Sequence, residues 1–110
     1  MGAMKLIADN LLLVVRKLTK KDIDVQVSIS ERLENGDYFT NVALRLAALA
    51  QGKLGKPLDV AYRIKEKLEK TSITSTIVQV IEVAPPGFIN FFLSRGYLLD
   101  TVNKIREKGS

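Results

Sequence analysis

The sequence predicts an α+β fold in which a small antiparallel sheet of three to four strands carries helices packed mainly on one face. Three observations point there. A helical apolar stripe opens the chain, a period-two stretch follows it, and two further amphipathic helices precede a β-branched region broken by Pro85-Pro86-Gly87. The order read from these patterns is α-β-β-α-α-β-β-α.

From Met4 to about Lys20, Ile7, Leu11, Val14 and Leu18 recur at steps of four, three and four, with Leu12 and Val15 widening the stripe. So apolar a helix suits packing on a sheet; the functional alternative is a membrane or partner surface. Arg16, Lys17, Lys20 and Lys21 close it, complementing the negative end of the helix dipole or serving phosphates. Next, Val25, Val27 and Ile29 alternate with Gln26, Ser28 and Ser30, the signature of a strand with one buried face. Asn35-Gly36 tolerates positive φ and turns the chain into a short second strand around Asp37 to Phe39, after which Thr40 or Asn41 caps a helix.

That helix sets Val42, Leu46 and Leu49 on one stripe beside Ala43, Ala47 and Ala50, and Gly52 and Gly55 end it. Pro57 suits the first turn of the next helix, whose stripe runs through Ala61, Ile64 and Leu68. Lys65, Lys67 and Lys70 form either a solvated face or an RNA track. The β-branched stretch from Ile73 to Ala84 reads as one long strand, with Ile77, Gln79 and Ile81 on one face and Val78 and Val80 on the other. A final strand, Phe88 to Ser94, follows at hairpin distance, and Leu98, Val102 and Ile105 predict a short terminal helix.

The 110 residues and 46% hydrophobic content suit a single domain spanning 1–110; the opening "MGAM" reads as a cloning remnant and carries no weight in the fold. The absence of cysteine and histidine excludes disulfides, thiolate nucleophiles, imidazole bases and the usual zinc sets, and no cofactor or metal is expected. Carboxylates, lysines and hydroxyls remain, with no spacing that demands a catalytic cleft. The longest apolar run, Leu11 to Val15, is far short of the roughly 20 residues a membrane span needs, so a soluble cytoplasmic protein with no membrane partner is expected. Seventeen Lys+Arg against twelve Asp+Glu give +5, which fits either a phosphate-bearing partner or a merely solvated surface.

The last strand raises the sharpest question. Alternation sends Ile89, Phe91 and Leu93 to one face, the core, and Phe88, Asn90 and Phe92 to the other. Two aromatics flanking an amide either pack beneath the first or terminal helix, or offer a nucleobase a stacking ring and hydrogen bonds.

"GDYFTNVALRLA" (Gly36 to Ala47), "KPLDVAYRIKEKL" (Lys56 to Leu68) and "VAPPGFINFFLS" (Val83 to Ser94) together resemble the N-terminal additional domain of arginyl-tRNA synthetases over nearly the whole chain. The resemblance implies a domain that does no chemistry and grips the corner of arginine-specific tRNA, chiefly the D-loop, with the remainder of the synthetase as its other partner. It also implies that Phe88 meets a D-loop base and that Asn90 is the polar contact two places on. Pro85 stands where some members carry a polar side chain, a hydrogen bond that proline cannot donate. The synthetase catalytic motifs are missing: there is no His-Ile-Gly-His, and "KTSITS" is only superficially similar to a Lys-Met-Ser-Lys-Ser loop. Aminoacylation by this chain is therefore not expected. Gly36-Asp37-Tyr38 shapes a turn or binds RNA, with Asp37 placed to accept backbone hydrogens in the first case. Arg45, Lys53, Lys56 and Arg95 are candidate phosphate contacts by charge and nearness to turns. The alternative class is an interaction module whose Phe88–Phe92 face docks on another protein domain; a free-standing domain without RNA binding is a third.

Overall fold

The computed structural model describes residues 2–20, 23–32, 34 and 36–94. Along the chain these form α1 (Ala3–Thr19), β1 (Ser28–Ile29), β2 (Tyr38–Thr40), α2 (Val42–Leu49), α3 (Pro57–Leu68), α4 (Ile73–Thr76), β3 (Val78–Ala84) and β4 (Phe88–Leu93). The four strands make one antiparallel sheet in the order β1-β2-β4-β3. This is the α+β class predicted. The expected terminal helix lies outside the described residues, as do Lys21, Asn35 and Arg95.

One core joins helices and sheet. Ile7, Leu11 and Val15 of α1, Val42 and Leu46 of α2, and Ile64 and Leu68 of α3 are buried together with Ile81, Ile89 and Phe91 of the sheet. Ala43, Ala47 and Ala61 are also buried, and their small side chains let α2 and α3 approach closely. Helix α1 starts at Ala3, itself buried, so the fold reaches into the opening four residues. Pro57 occupies the first turn of α3, where the Lys56 backbone N–H donates to Asp59 Oδ2 at 3.3 Å. No described helix is long and apolar enough to cross a membrane.

Four sequence expectations are corrected. The first is the strand over Val25 to Ile29, which shrinks to Ser28–Ile29 because β2 is only three residues long and becomes a helix immediately afterwards. With no ladder to join, residues 24–26 are tied down singly: Thr40 Oγ1 donates to the Gln26 carbonyl at 2.7 Å, and Arg45 donates to the Asp24 carbonyl at 3.0 Å. Ile29 is exposed, whereas Val25 and Val27 are half-buried.

The second correction splits the supposed long strand: Ile73 to Thr76 make one helical turn before β3 starts. Ile73 and Ile77 are both buried at a spacing of four, so one turn of helix delivers both to the core. Third, the faces of β3 differ from simple alternation. Val78 pairs with Leu93 but Val80 pairs with Phe92, so Gln79 is the extra residue of a bulge. The bulge resets the pleat: Val78 and Ile81 face the core, and Val80 is 40% exposed. Fourth, Leu49 at the end of α2 is exposed. The α2 start is also served in its own way, since the Val42 N–H donates to Thr40 Oγ1 while Asn41 makes no side-chain cap bond.

The Gly36-Asp37-Tyr38 segment is structural. Gly36 has φ +87°, and a Cβ there would lie 2.7 Å from the Phe91 carbonyl oxygen. The Asp37 N–H donates to that same carbonyl at 2.9 Å, and Asp37 Oδ2 accepts from the Leu93 N–H at 2.8 Å. Gly36→Ala is therefore strained in conformation and blocked in space, and should cost about 2–3 kcal/mol, read as a lowered urea midpoint in circular dichroism.

Candidate functional site

Strand β4 presents Phe88, Asn90 and Phe92 away from the core that Ile89, Phe91 and Leu93 enter. Across one neighbour, β2 sets Phe39 directly opposite Asn90; across the other, β3 sets Ala84, Glu82 and Val80 opposite Phe88, Asn90 and Phe92. Helix α1 packs into the core on the far face, so packing of Phe88 and Phe92 beneath it is not what the structure shows.

On this outer face lies an open concavity of about 620 Å³. Phe39, Phe88, Asn90 and Pro85 line it on one side, and Ser28 to Arg32 line it on the other. The rings of Phe39 and Phe88 meet at 70°, centroids 6.1 Å apart, an edge-to-face arrangement. Asn90 is only 7% exposed, and among the described residues its side chain finds no hydrogen-bond partner. Among the described residues no side-chain nitrogen or oxygen is both buried and unbonded, so the Asn90 amide atoms keep some exposure. The carboxamide thus opens into the concavity with donors and an acceptor unused.

The charge at this site is balanced. Arg32 and Glu31 both line it, and Arg32 pairs with Glu34 at 3.6 Å with both side chains about three-quarters exposed, a pair worth little. Among the described residues, no other charged side chain lines the concavity.

The expected site residues separate into two groups. Phe88, Asn90 and Pro85 come together in the concavity; Phe92 shares their face without lining it. Arg45 bonds to the Asp24 carbonyl and lies 3.9 Å from the Asp24 carboxylate, fastening the residues before β1 to α2. Lys53 follows α2 and Lys56 begins α3, and Lys56 borders a second, shallower groove with Leu44 and Pro57. None of the three lines the concavity. Lys67 and Lys70 are exposed, Lys70 lying 3.9 Å from Glu66.

Sequence reasoning passed over Phe39 and the rim from Ser28 to Arg32. The signal for Phe39 was available in "YFT", where Tyr38 and Thr40 alternate inward around it, but its partner across the sheet was not.

Residues 4–93 match the family model described as the arginyl tRNA synthetase N terminal domain. The chain belongs to this family. The arginine–tRNA ligase of Staphylococcus carnosus is 38% identical over 85 residues, covering 77% of this chain and 14% of that protein. That of Thioalkalivibrio sulfidiphilus is 42% identical over 87 residues, covering 79% and 14%. Two solved structures share the fold. The arginyl-tRNA synthetase of Plasmodium falciparum aligns with TM-score 0.72 at 23% identity over 86% of this chain and 16% of its own; that of Thermus thermophilus has TM-score 0.68 at 20% identity over 91% and 15%. The chain thus spans about one seventh of the arginine–tRNA ligases it matches.

An arginyl-tRNA synthetase N-terminal domain with a nearly buried, unpaired amide carries a cost to stability. Replacing it with an apolar group of similar shape removes the desolvation penalty, so Asn90→Leu should leave the urea midpoint unchanged or raise stability by up to about 1 kcal/mol. A loss of more than about 1 kcal/mol in that measurement would mean that the amide has a structural partner.

Proposed function

We propose that this domain is a non-catalytic tRNA-binding module of an arginyl-tRNA synthetase, which contacts the D-loop at the corner of arginine-specific tRNA through β4. The observation that carries this reading is Asn90, a carboxamide nine-tenths buried, unpaired and open to a concavity walled by aromatic rings. An unpaired base stacked on Phe88 would bring its edge within reach of the amide, which offers both a donor and an acceptor. Family membership supports tRNA as the partner class, with the rest of the synthetase as the second partner and the cytoplasm as the setting. Pro85 contributes an apolar wall. Phosphates would be held by basic side chains away from the concavity; Lys53 and Lys56 are candidates, being exposed and without an acidic partner among the described residues.

Stacking is worth about 1–3 kcal/mol per base, so Phe88→Ala should weaken binding of labelled arginine tRNA roughly five- to hundredfold in a fluorescence titration. Affinity should also fall steeply as salt rises, through the phosphate contacts. The exposed Val80 beside Phe92 favours a second reading, docking on another protein domain through the same face. Equal tRNA affinity for wild type and Phe88→Ala, with a mass in light scattering that climbs with concentration, would replace the first reading with the second.

A further inference from the structure

Resting on the tRNA reading, we propose that Phe39 is a specificity-determining residue of the base site: it is the second wall of an aromatic corner that fixes which edge of the base faces Asn90. One ring alone cannot do this. A base stacked on a single phenyl face is held against leaving the plane, yet it slides and rotates within that plane at little cost, because every base has a π-face. A lone platform therefore contributes affinity without selecting an orientation.

The sheet supplies the missing constraint. Phe39 stands opposite Asn90 in the β2–β4 ladder, and its ring meets that of Phe88 at 70° with centroids 6.1 Å apart. Rings so inclined leave no slot between them for a sandwiched base. They form a corner, in which a base lying flat on one ring meets the other near its own edge. The amide of Asn90 lies in the same concavity, with no other partner among the described residues. Two walls and a hydrogen-bonding group restrict the position and in-plane rotation of a planar ligand more tightly than a ring and an amide alone.

The walls also narrow the access of water to the amide. Asn90 is 93% covered, no described helix lies on this face, and its described neighbours there include Phe39 across the ladder and Phe88 along the strand. A hydrogen bond to a base edge gains discrimination when water cannot substitute for the wrong partner. The balanced charge of the lining, one Arg32 against one Glu31, fits a ligand portion that is neutral: the base itself and not its phosphate.

The test compares Phe39→Leu, Phe39→Tyr and Phe88→Ala for binding to arginine tRNAs in which each unpaired D-loop base is varied in turn. Wild type should separate the best from the worst base at one position by about tenfold or more, as expected for a paired donor and acceptor. Phe39→Leu should compress that ratio to about threefold or less, because the amide is wetted and the base rotates freely. Its salt dependence should match wild type, since no phosphate contact is touched. Phe39→Tyr keeps the ring and should keep the ratio, while urea melts confirm that both variants are folded. Wild-type discrimination in folded Phe39→Leu overturns the inference; if Phe88→Ala still weakens binding in that case, the tRNA reading survives it. No loss of affinity in Phe88→Ala and no discrimination by wild type overturn both.

Discussion

The pairing of β2 with β4 is the constraint on which the rest of this structure depends. The residues it joins are distant in the chain; the Asp37–Leu93 hydrogen bond alone spans 56 positions. Loop closure of that length opposes the contact, so the strands need strong local reasons to meet. The chain provides them at one point. Gly36 brings the backbone against the Phe91 carbonyl, the Asp37 N–H donates to that carbonyl, and the Asp37 carboxylate accepts from Leu93. A three-residue strand is thereby registered on β4, with Tyr38 and Thr40 on the core face and Phe39 on the outer one. Without that register, Phe39 would not stand beside Asn90.

The helical layer determines the site from behind. A Cβ on Gly87 would lie 2.9 Å from Pro57 Cβ and 3.2 Å from Leu44 Cγ, so the Pro85-Pro86-Gly87 turn rests directly on the start of α3 and on α2. The turn that delivers Pro85 and Phe88 to the concavity is therefore seated on the core and not loose at the surface. All the long helices bury their stripes against the inner face, which leaves the outer face of a four-stranded sheet without helical cover among the described residues. Antiparallel sheets tolerate this when the outer face is polar. Here it carries Phe39, Phe88, Phe92 and Val80, an apolar surface that solvent alone gives no reason to keep.

Among the described residues, the lining of the concavity holds one arginine and one glutamate, while Lys53 and Lys56, exposed and outside it, flank the α2–α3 connection. In the proposed reading, salt-sensitive attraction and base selection belong to different surfaces, so substitutions in one should leave the signature of the other intact.

Much of this was legible in local patterns. Helical stripes, Pro57 at a helix start, Gly36 at a turn and the two faces of β4, with Phe88, Asn90 and Phe92 together on one of them, all follow from residues within a few positions of one another. What the tertiary structure decided depends on partners far along the chain. The strand over Val25 to Ile29 shortened because β2 offered it too few hydrogen bonds, and the β3 faces shifted because Gln79 had no counterpart on β4. Arg45 went to Asp24, and Phe39 joined the site, through contacts that no periodicity encodes. By itself the sequence determined the faces of α1, α3 and β4, where local periodicity is unbroken; the faces of β3 and the side chains that meet across the sheet were settled by strand register, because register is chosen by the ladder as a whole.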